Sequence, residues 1–391
     1  STCNQLGSIP FPLPAATYAA CTLGGNPATS GPQAAAFAGI YSNLLRDALG
    51  QVRFSTGNFL SVDSEAYAAY GQVTYNIAEN LRVIGGLRYS EETKDGFQQN
   101  ASPFFRDQAD FLGNPILPQS DTIKFDSLDP QAIIEFDVND DLMIYASYSE
   151  AFRSGGFNAS ASIVPVAPAT VGADFIFQPE EITAYEAGFK GEFMDKLRLN
   201  AAFFVYDIPS EQVTVSIDPL ISTKRAIVNS KTDVWGIEAD TTFAVSEEFT
   251  LTGNIAYIKG ETDDIVSPNP AVGTITRASI QGTPELSYSI GANYNRDLGE
   301  GKNVFANLNF SHKDEAETTP FLYLTEQNLL SGRIGMGKEL ANGNVVTIAF
   351  WGQNLTDDKY TVDTLPFETF AKQVHVFGTP RTYGASLGYK F

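Results

Sequence analysis

The chain has two histidines, His312 and His375, in 391 residues. His312 follows Ser311 and precedes Asp314 by two residues, so nucleophile, base and orienting acid stand close together in sequence. A catalytic triad needs groups that converge in space, and neighbours along an extended strand point to opposite faces. The carboxylate pairs Asp263-Asp264 and Asp357-Asp358 read as solvated loop turns before they read as acid/base pairs. No phosphate-cradling glycine loop and no zinc spacing occurs. Cys3 and Cys21 have no histidine nearby. No enzyme is expected, with no catalytic residue, metal or cofactor to assign.

Binding chemistry has more to work with. Aromatic rings cluster between the regular segments: Phe104 and Phe105, Phe152 and Phe157, Phe175 and Phe177, Phe321 and Tyr323, Phe367 and Phe370. Such rings can stack on a flat ligand or a sugar, or they can pack the loops on one another. Arg153 and Arg225 could hold an anion, with Arg82 and Arg88 deeper on the same polar side, unless wall carboxylates claim them. Siderophore, haem, cobalamin, oligosaccharide and aromatic compounds all stay open as ligands.

The elements that carry these residues alternate with a period of two. The last strand has Tyr383, Ala385, Leu387, Tyr389 and Phe391 on one face and Thr382, Gly384, Ser386, Gly388 and Lys390 on the other. An apolar face that ends on a chain-terminal aromatic suits a closed membrane barrel, where lipid takes one face and the lumen the other. From about residue 62 the same alternation recurs, as in Leu286-Tyr288-Ile290-Ala292-Tyr294 opposite Ser287, Ser289, Gly291, Asn293 and Asn295. Short polar turns (78–80, 139–141, 194–196, 246–248, 341–344) alternate with long segments (94–121, 153–180, 207–231, 260–280, 312–325, 354–378). Tyr75, Phe136, Phe193, Phe243, Phe249 and Tyr294 sit beside the short turns as an interfacial girdle.

The expected fold is therefore all-β, a transmembrane antiparallel barrel with long extracellular loops and short periplasmic turns, in the outer membrane of a Gram-negative bacterium. About thirteen strands fit into residues 62–391. An odd number ending in the periplasm implies entry from outside, so residues 1–61 are expected to be an extracellular loop region, with a short helix over 34–49 and a Cys3–Cys21 disulfide. The chain then reads as the C-terminal part of a larger protein. No run approaches the ~20 apolar residues of a membrane helix. The excess of 46 Asp and Glu over 25 Lys and Arg argues against a nucleic-acid partner.

Four segments resemble the barrel of TonB-dependent outer-membrane receptors. They are the closing strand Thr382–Phe391, Trp351-Gly-Gln-Asn-Leu-Thr-Asp-Asp-Lys-Tyr360, Tyr145-Ala-Ser-Tyr-Ser-Glu-Ala-Phe-Arg-Ser-Gly-Gly-Phe157 and Val234-Trp-Gly-Ile-Glu-Ala239. The resemblance covers about residues 62–391. It implies a plugged barrel of about 22 strands, of which this chain supplies the last thirteen, with the plug domain and energy-coupling box not present in it. Implied partners are that plug with the remaining strands, a TonB complex acting through it, outer-membrane lipid and lipopolysaccharide, and the barrel-assembly machinery, which recognises Tyr383, Leu387, Tyr389 and Phe391. The implied function is energy-coupled uptake of a scarce bulky nutrient such as a siderophore or other metal complex. A passive porin and a surface-assembly component are the alternatives. Gly155-Gly156 would relieve the backbone where a strand leaves the wall.

Overall fold

The computed structural model describes residues 57–101, 119–158, 176–216, 225–266, 274–276, 280–319, 322–367 and 372–391. Cys3, Cys21, Phe104, Phe105, Phe175, Phe321, Phe370 and the 34–49 run lie outside them. For Arg225 and Phe367 the backbone alone is described.

The described residues begin with four strands, β1 (Gly57–Ala78), β2 (Leu81–Ala101), β3 (Gln119–Asn139) and β4 (Leu142–Arg153). A short ribbon of β5 (Gly156–Phe157) and β6 (Ile176–Phe177) leads to β7 (Glu180–Phe193), β8 (Leu197–Ser216), β9 (Arg225–Ala244) and β10 (Phe249–Thr262). A second ribbon, β11 (Ile265–Val266) with β12 (Thr274–Ile275), precedes β13 (Leu286–Gly299) and β14 (Lys302–Lys313). A third, β15 (Ala316–Thr319) with β16 (Leu322–Leu324), precedes β17 (Gln327–Glu339) and β18 (Val345–Gln353). The last, β19 (Thr361–Phe367) with β20 (Lys372–Phe377), precedes β21 (Thr382–Lys390). With the ribbons set aside, thirteen strands form a single antiparallel sheet in chain order.

Thirteen strands match the alternation, but much of what reads as loop is strand. β2 runs on to Ala101, β8 to Ser216, and β9 begins at Arg225. A crossing needs about 9–11 residues, and β1, β2, β3, β8 and β9 have 20 to 22 each. Their ends therefore stand well clear of a bilayer. At one such end Val213, Val215, Ala226 and Ile265 close a small buried core, with Val228 and Ile275 against it. That core is what lets a ribbon of Gln, Thr and Ser persist where no lipid covers it.

Pairing in register keeps two faces apart across the sheet. One row runs Ile144↔Phe189↔Ala201↔Ala239↔Ile255↔Tyr288. Further on, Ile334↔Phe350↔Ala385 and Met336↔Ile348↔Leu387 continue the apolar side. Ile134, Phe203, Ile237, Ile290, Leu308 and Phe350 all lie open on that side, a patch far larger than a water-exposed surface carries. Lipid is the environment that fits it. Phe249↔Tyr294 and Leu251↔Phe243 place the girdle at the short-turn end. A second aromatic row lies nearer the long-loop end: Tyr148 packs on Tyr185, Trp235 on both Phe203 and Tyr257, and Tyr288 on Phe310.

The turns follow local backbone chemistry. Glu300 and Gly301 both take positive φ (53° and 68°), the two-residue hairpin geometry that matches strand twist. Asn342-Gly343, the dipeptide that suits a tight hairpin in sequence, closes a longer turn instead. Only Gly343 is left-handed (φ 81°), and its amide donates to Leu340 O at 2.9 Å. Between β2 and β3, Thr122 Oγ1 donates to Asp95.

Candidate functional site: the polar face of the wall

The face opposite the apolar one holds the chemistry, and it divides into two sectors. Over β2–β9 it is charged. Arg82 donates to Glu135 at 2.9 Å and to Asp137 at 2.7 Å, so this arginine is taken by wall carboxylates. Tyr145 Oη donates to Glu186 at 2.6 Å, with the Lys190 ammonium 5.6 Å above its ring. Asn200 donates to Asp240 at 3.0 Å. Toward the short turns a recess of about 570 Å³ collects Asp137, Asp140, Asp141 and Glu192 with Lys190 and Arg198.

Over β10–β21 the middle of the same face is mostly amide and hydroxyl, with Arg333 among them and Asp297, Lys313, Glu339 and Lys390 toward the strand ends. Asn254 donates to Ser289 at 2.9 Å, Asn307 to Asn293 at 2.7 Å and Asn303 to Asn295 at 3.2 Å. One row reads Asn293↔Asn307↔Arg333↔Trp351↔Gly384. A recess of about 370 Å³ here is lined by Thr252, Asn293, Asn307, Asn309, Arg333 and Trp351 among others.

Both sectors share a packing device that the sequence alone does not reveal. A polar-face aromatic lies flat over a glycine of the adjoining strand. Phe204, 4% exposed, covers Gly236, where a Cβ would meet its ring at 2.4 Å. Phe305 covers Gly335 at 2.6 Å, Trp351 covers Gly384 at 2.8 Å, and Tyr145 covers Gly188 at 2.9 Å. Laid along the wall, these rings bury area without intruding on the interior. Register decides which glycine meets which ring, and register is absent from a linear pattern.

At the long-loop end the residues expected to bind ligand fall into two groups. Arg153 makes an ion pair with Glu180 at 3.3 Å and donates to Gln212 at 2.9 Å, yet its side chain stays 61% exposed on the polar face. Phe152 is partly covered and Tyr323 is exposed. Phe157 is only 7% exposed and pairs with Ile176 in its ribbon. Phe177 presses on Gly156, where a Cβ would meet its ring at 2.8 Å, and a Cβ on Gly155 would meet Phe177 O at 2.3 Å. Gly155 and Gly156 are thus needed for space, and neither has a positive φ. Asn158 locks this ribbon to β9, donating to Ile227 O at 3.0 Å and accepting from Ile227 N at 2.7 Å. On the outer strand ends the carboxylate of Asp233, 3.0 Å away, holds the Lys231 ammonium above the ordinary lysine range.

His312 lies against Asn328 (2.9 Å) and Asp314 (3.0 Å) and stacks on Tyr288, while its row partner is Tyr288 on the apolar side. Both ring nitrogens are occupied, and although Asp314 meets the ring, Ser311 faces the other way, so no triad assembles. Asp357 is a solvated turn, its amide donating to Asn354 O at 2.9 Å and its exposed carboxylate 3.2 Å from Arg381, whereas Asp358 is half-buried and accepts from the Asn328 backbone amide at 2.6 Å. Asn354, buried, binds Asp358 at both its amide and its carbonyl and also Thr379 O at 3.1 Å. The Asn-Leu-Thr-Asp-Asp segment is therefore a clasp joining β17, β18 and β21. Among the described residues no group of three or more His, Cys, Asp or Glu could hold a metal.

Known proteins place the fold. A family model described as TonB dependent receptor-like, beta-barrel, matches residues 18–385. The ferric-pyoverdine M114 receptor PbuA of Pseudomonas sp. (strain M114) is 26% identical over 204 residues, covering 52% of this chain and 22% of that protein. Among solved structures, the ferric yersiniabactin uptake receptor FyuA from Yersinia pestis superposes with a TM-score of 0.64 at 18% identity, covering 84% of this chain and 46% of that one. The siderophore receptor PiuA from Acinetobacter baumannii gives 0.58 at 17% identity, covering 85% and 44%. The chain spans less than half the length of these relatives. The apolar face is the membrane side, the polar face is the lumen side, and the membrane is the outer one of a Gram-negative cell. The chain belongs to the TonB-dependent receptor β-barrel family.

Proposed function

We propose that this protein works as an outer-membrane receptor for energy-coupled uptake of a metal complex of the siderophore class. The observation that carries the reading is a wall apolar on one side and charged or amide-rich on the other, in a family whose similar members are receptors for ferric chelates. The long-loop end and upper lumen would take the ligand. Phe104, Phe105, Phe152, Arg153, Phe175, Arg225, Phe321, Tyr323, Phe367 and Phe370 are the candidate contacts, while Phe157 and Phe177 pack within the ribbon of β5 and β6. A plug filling the lumen would meet the charged sector, and a TonB complex would act through that plug. The family is one of receptors and transporters.

Binding is testable directly. Outer membranes with and without the protein would be incubated with a panel of ⁵⁵Fe-loaded catecholate, hydroxamate, carboxylate and mixed chelates. Retention of one class only when the protein is present is expected. Equal retention of all classes with and without it would overturn the reading.

A further inference from the structure

We infer that Arg333 and Trp351 form a mid-lumen subsite for a carboxylate group carried on a passing ligand. The chain is strongly acidic, with a net charge of −21, and several other polar-face cations sit among carboxylates, Arg82 beside Glu135 and Asp137, Lys190 and Arg198 in a recess with four acids, while Arg88 donates to Ser90 at 3.0 Å. Arg333 differs. Its recess of about 370 Å³ contains amides, hydroxyls, glycines, Leu308 and Trp351 but no Asp or Glu. Among the described residues no carboxylate lies within ion-pair distance of its guanidinium.

Arg333 is also held in place. It is paired in register with Asn307 on one side and Trp351 on the other, and its guanidinium lies over the Phe305 ring at 5.4 Å. Phe305 in turn rests on Gly335. A planar fork supported from below by a ring keeps its outward edge for a bidentate acceptor. Trp351, supported by Gly384, adds a flat apolar surface beside it, and Asn307 and Asn309 add amide donors. Together these recognise an anionic oxygen pair on a group with a flat or aliphatic body. Because the recess holds no other charged side chain, such a ligand is drawn to one place and held by few contacts, which suits passage.

The inference rests on the transport reading only for what brings the carboxylate; the subsite itself can be measured without transport. The receptor would be purified from outer membranes and labelled with 5-fluorotryptophan, the Trp351 resonance being assigned by its loss in Trp351→Phe. Succinate would be titrated against it, with succinamide as the uncharged match, at constant ionic strength. The expected result is a saturable Trp351 shift with succinate in the millimolar range and none with succinamide. Arg333→Gln should weaken it at least tenfold, and Arg333→Lys, which keeps charge without the fork, should weaken it less. A shift unaffected by Arg333→Gln, or no shift at all, overturns the subsite. If Trp351 ignores succinate while Arg333→Gln alone lowers the receptor's thermal stability, the recess already holds a carboxylate of the receptor itself, and the inference fails. Succinate binding without energised uptake would keep the subsite and refute the transport reading.

Discussion

A lysine placed at Ile290 probes the assignment of faces most sharply. Ile290 is 56% exposed on the apolar side and lies between Gly253 and Phe310 in register. It is four residues from Tyr294, whose partner Phe249 marks the girdle by the short turns. Four residues at ~3.3 Å, tilted ~45°, lift it about 9 Å above that girdle, in an apolar band ~25 Å tall, so it sits near the midplane. There Ile290→Lys should cost about 2–4 kcal/mol. Ser289→Lys, one residue away, points into the lumen and should cost less than about 1 kcal/mol, because water or polar groups receive the ammonium. Both can be read from denaturant midpoints of the protein refolded into lipid vesicles, with slopes checked for constancy. Equal losses at the two positions, or the larger loss at Ser289, would refute the argument that lipid covers this face.

Other perturbations test separate links. Phe391, 96% exposed at the chain end, should reduce outer-membrane levels severalfold when changed to Asn, read by immunoblot of membrane fractions against total protein; unchanged levels would count against an assembly role. Gly335→Ala would put a methyl 2.6 Å from the Phe305 ring and from Ile348 O, so a loss of about 1–3 kcal/mol is expected, whereas Gly71→Ala meets nothing within 4 Å and should be neutral. Asn158→Ala removes both bonds to Ile227 and should speed limited proteolysis of the 154–177 segment while leaving the wall's melting unchanged; unaltered cleavage would show that the ribbon is held elsewhere.

How far the sequence carries depends on what each feature needs. Alternation from Tyr67 to Phe391 needs only a period of two and lipid on one side, so strand number, order and facing were all legible. The long ends of β8 and β9 were not, because Val213, Val215 and Ala226 are buried only against Ile265 from another loop. The clasp at Asn354 and the rings over Gly236, Gly335 and Gly384 depend on register between separate strands. Asp358 reads as a solvent turn in the sequence because its partner, the Asn328 backbone amide, lies elsewhere in the chain. Of the aromatic pairs singled out for binding, Phe157 and Phe177 serve packing, since a ring's type does not say whether it faces ligand or glycine.

The most direct test of the central claim is uptake of the retained ⁵⁵Fe chelate by whole cells, with and without a protonophore. Energy-coupled transport through this receptor predicts accumulation that requires the protein and stops on de-energisation, while surface binding persists. Accumulation that continues unchanged with the protonophore would contradict the account and make the protein a passive channel.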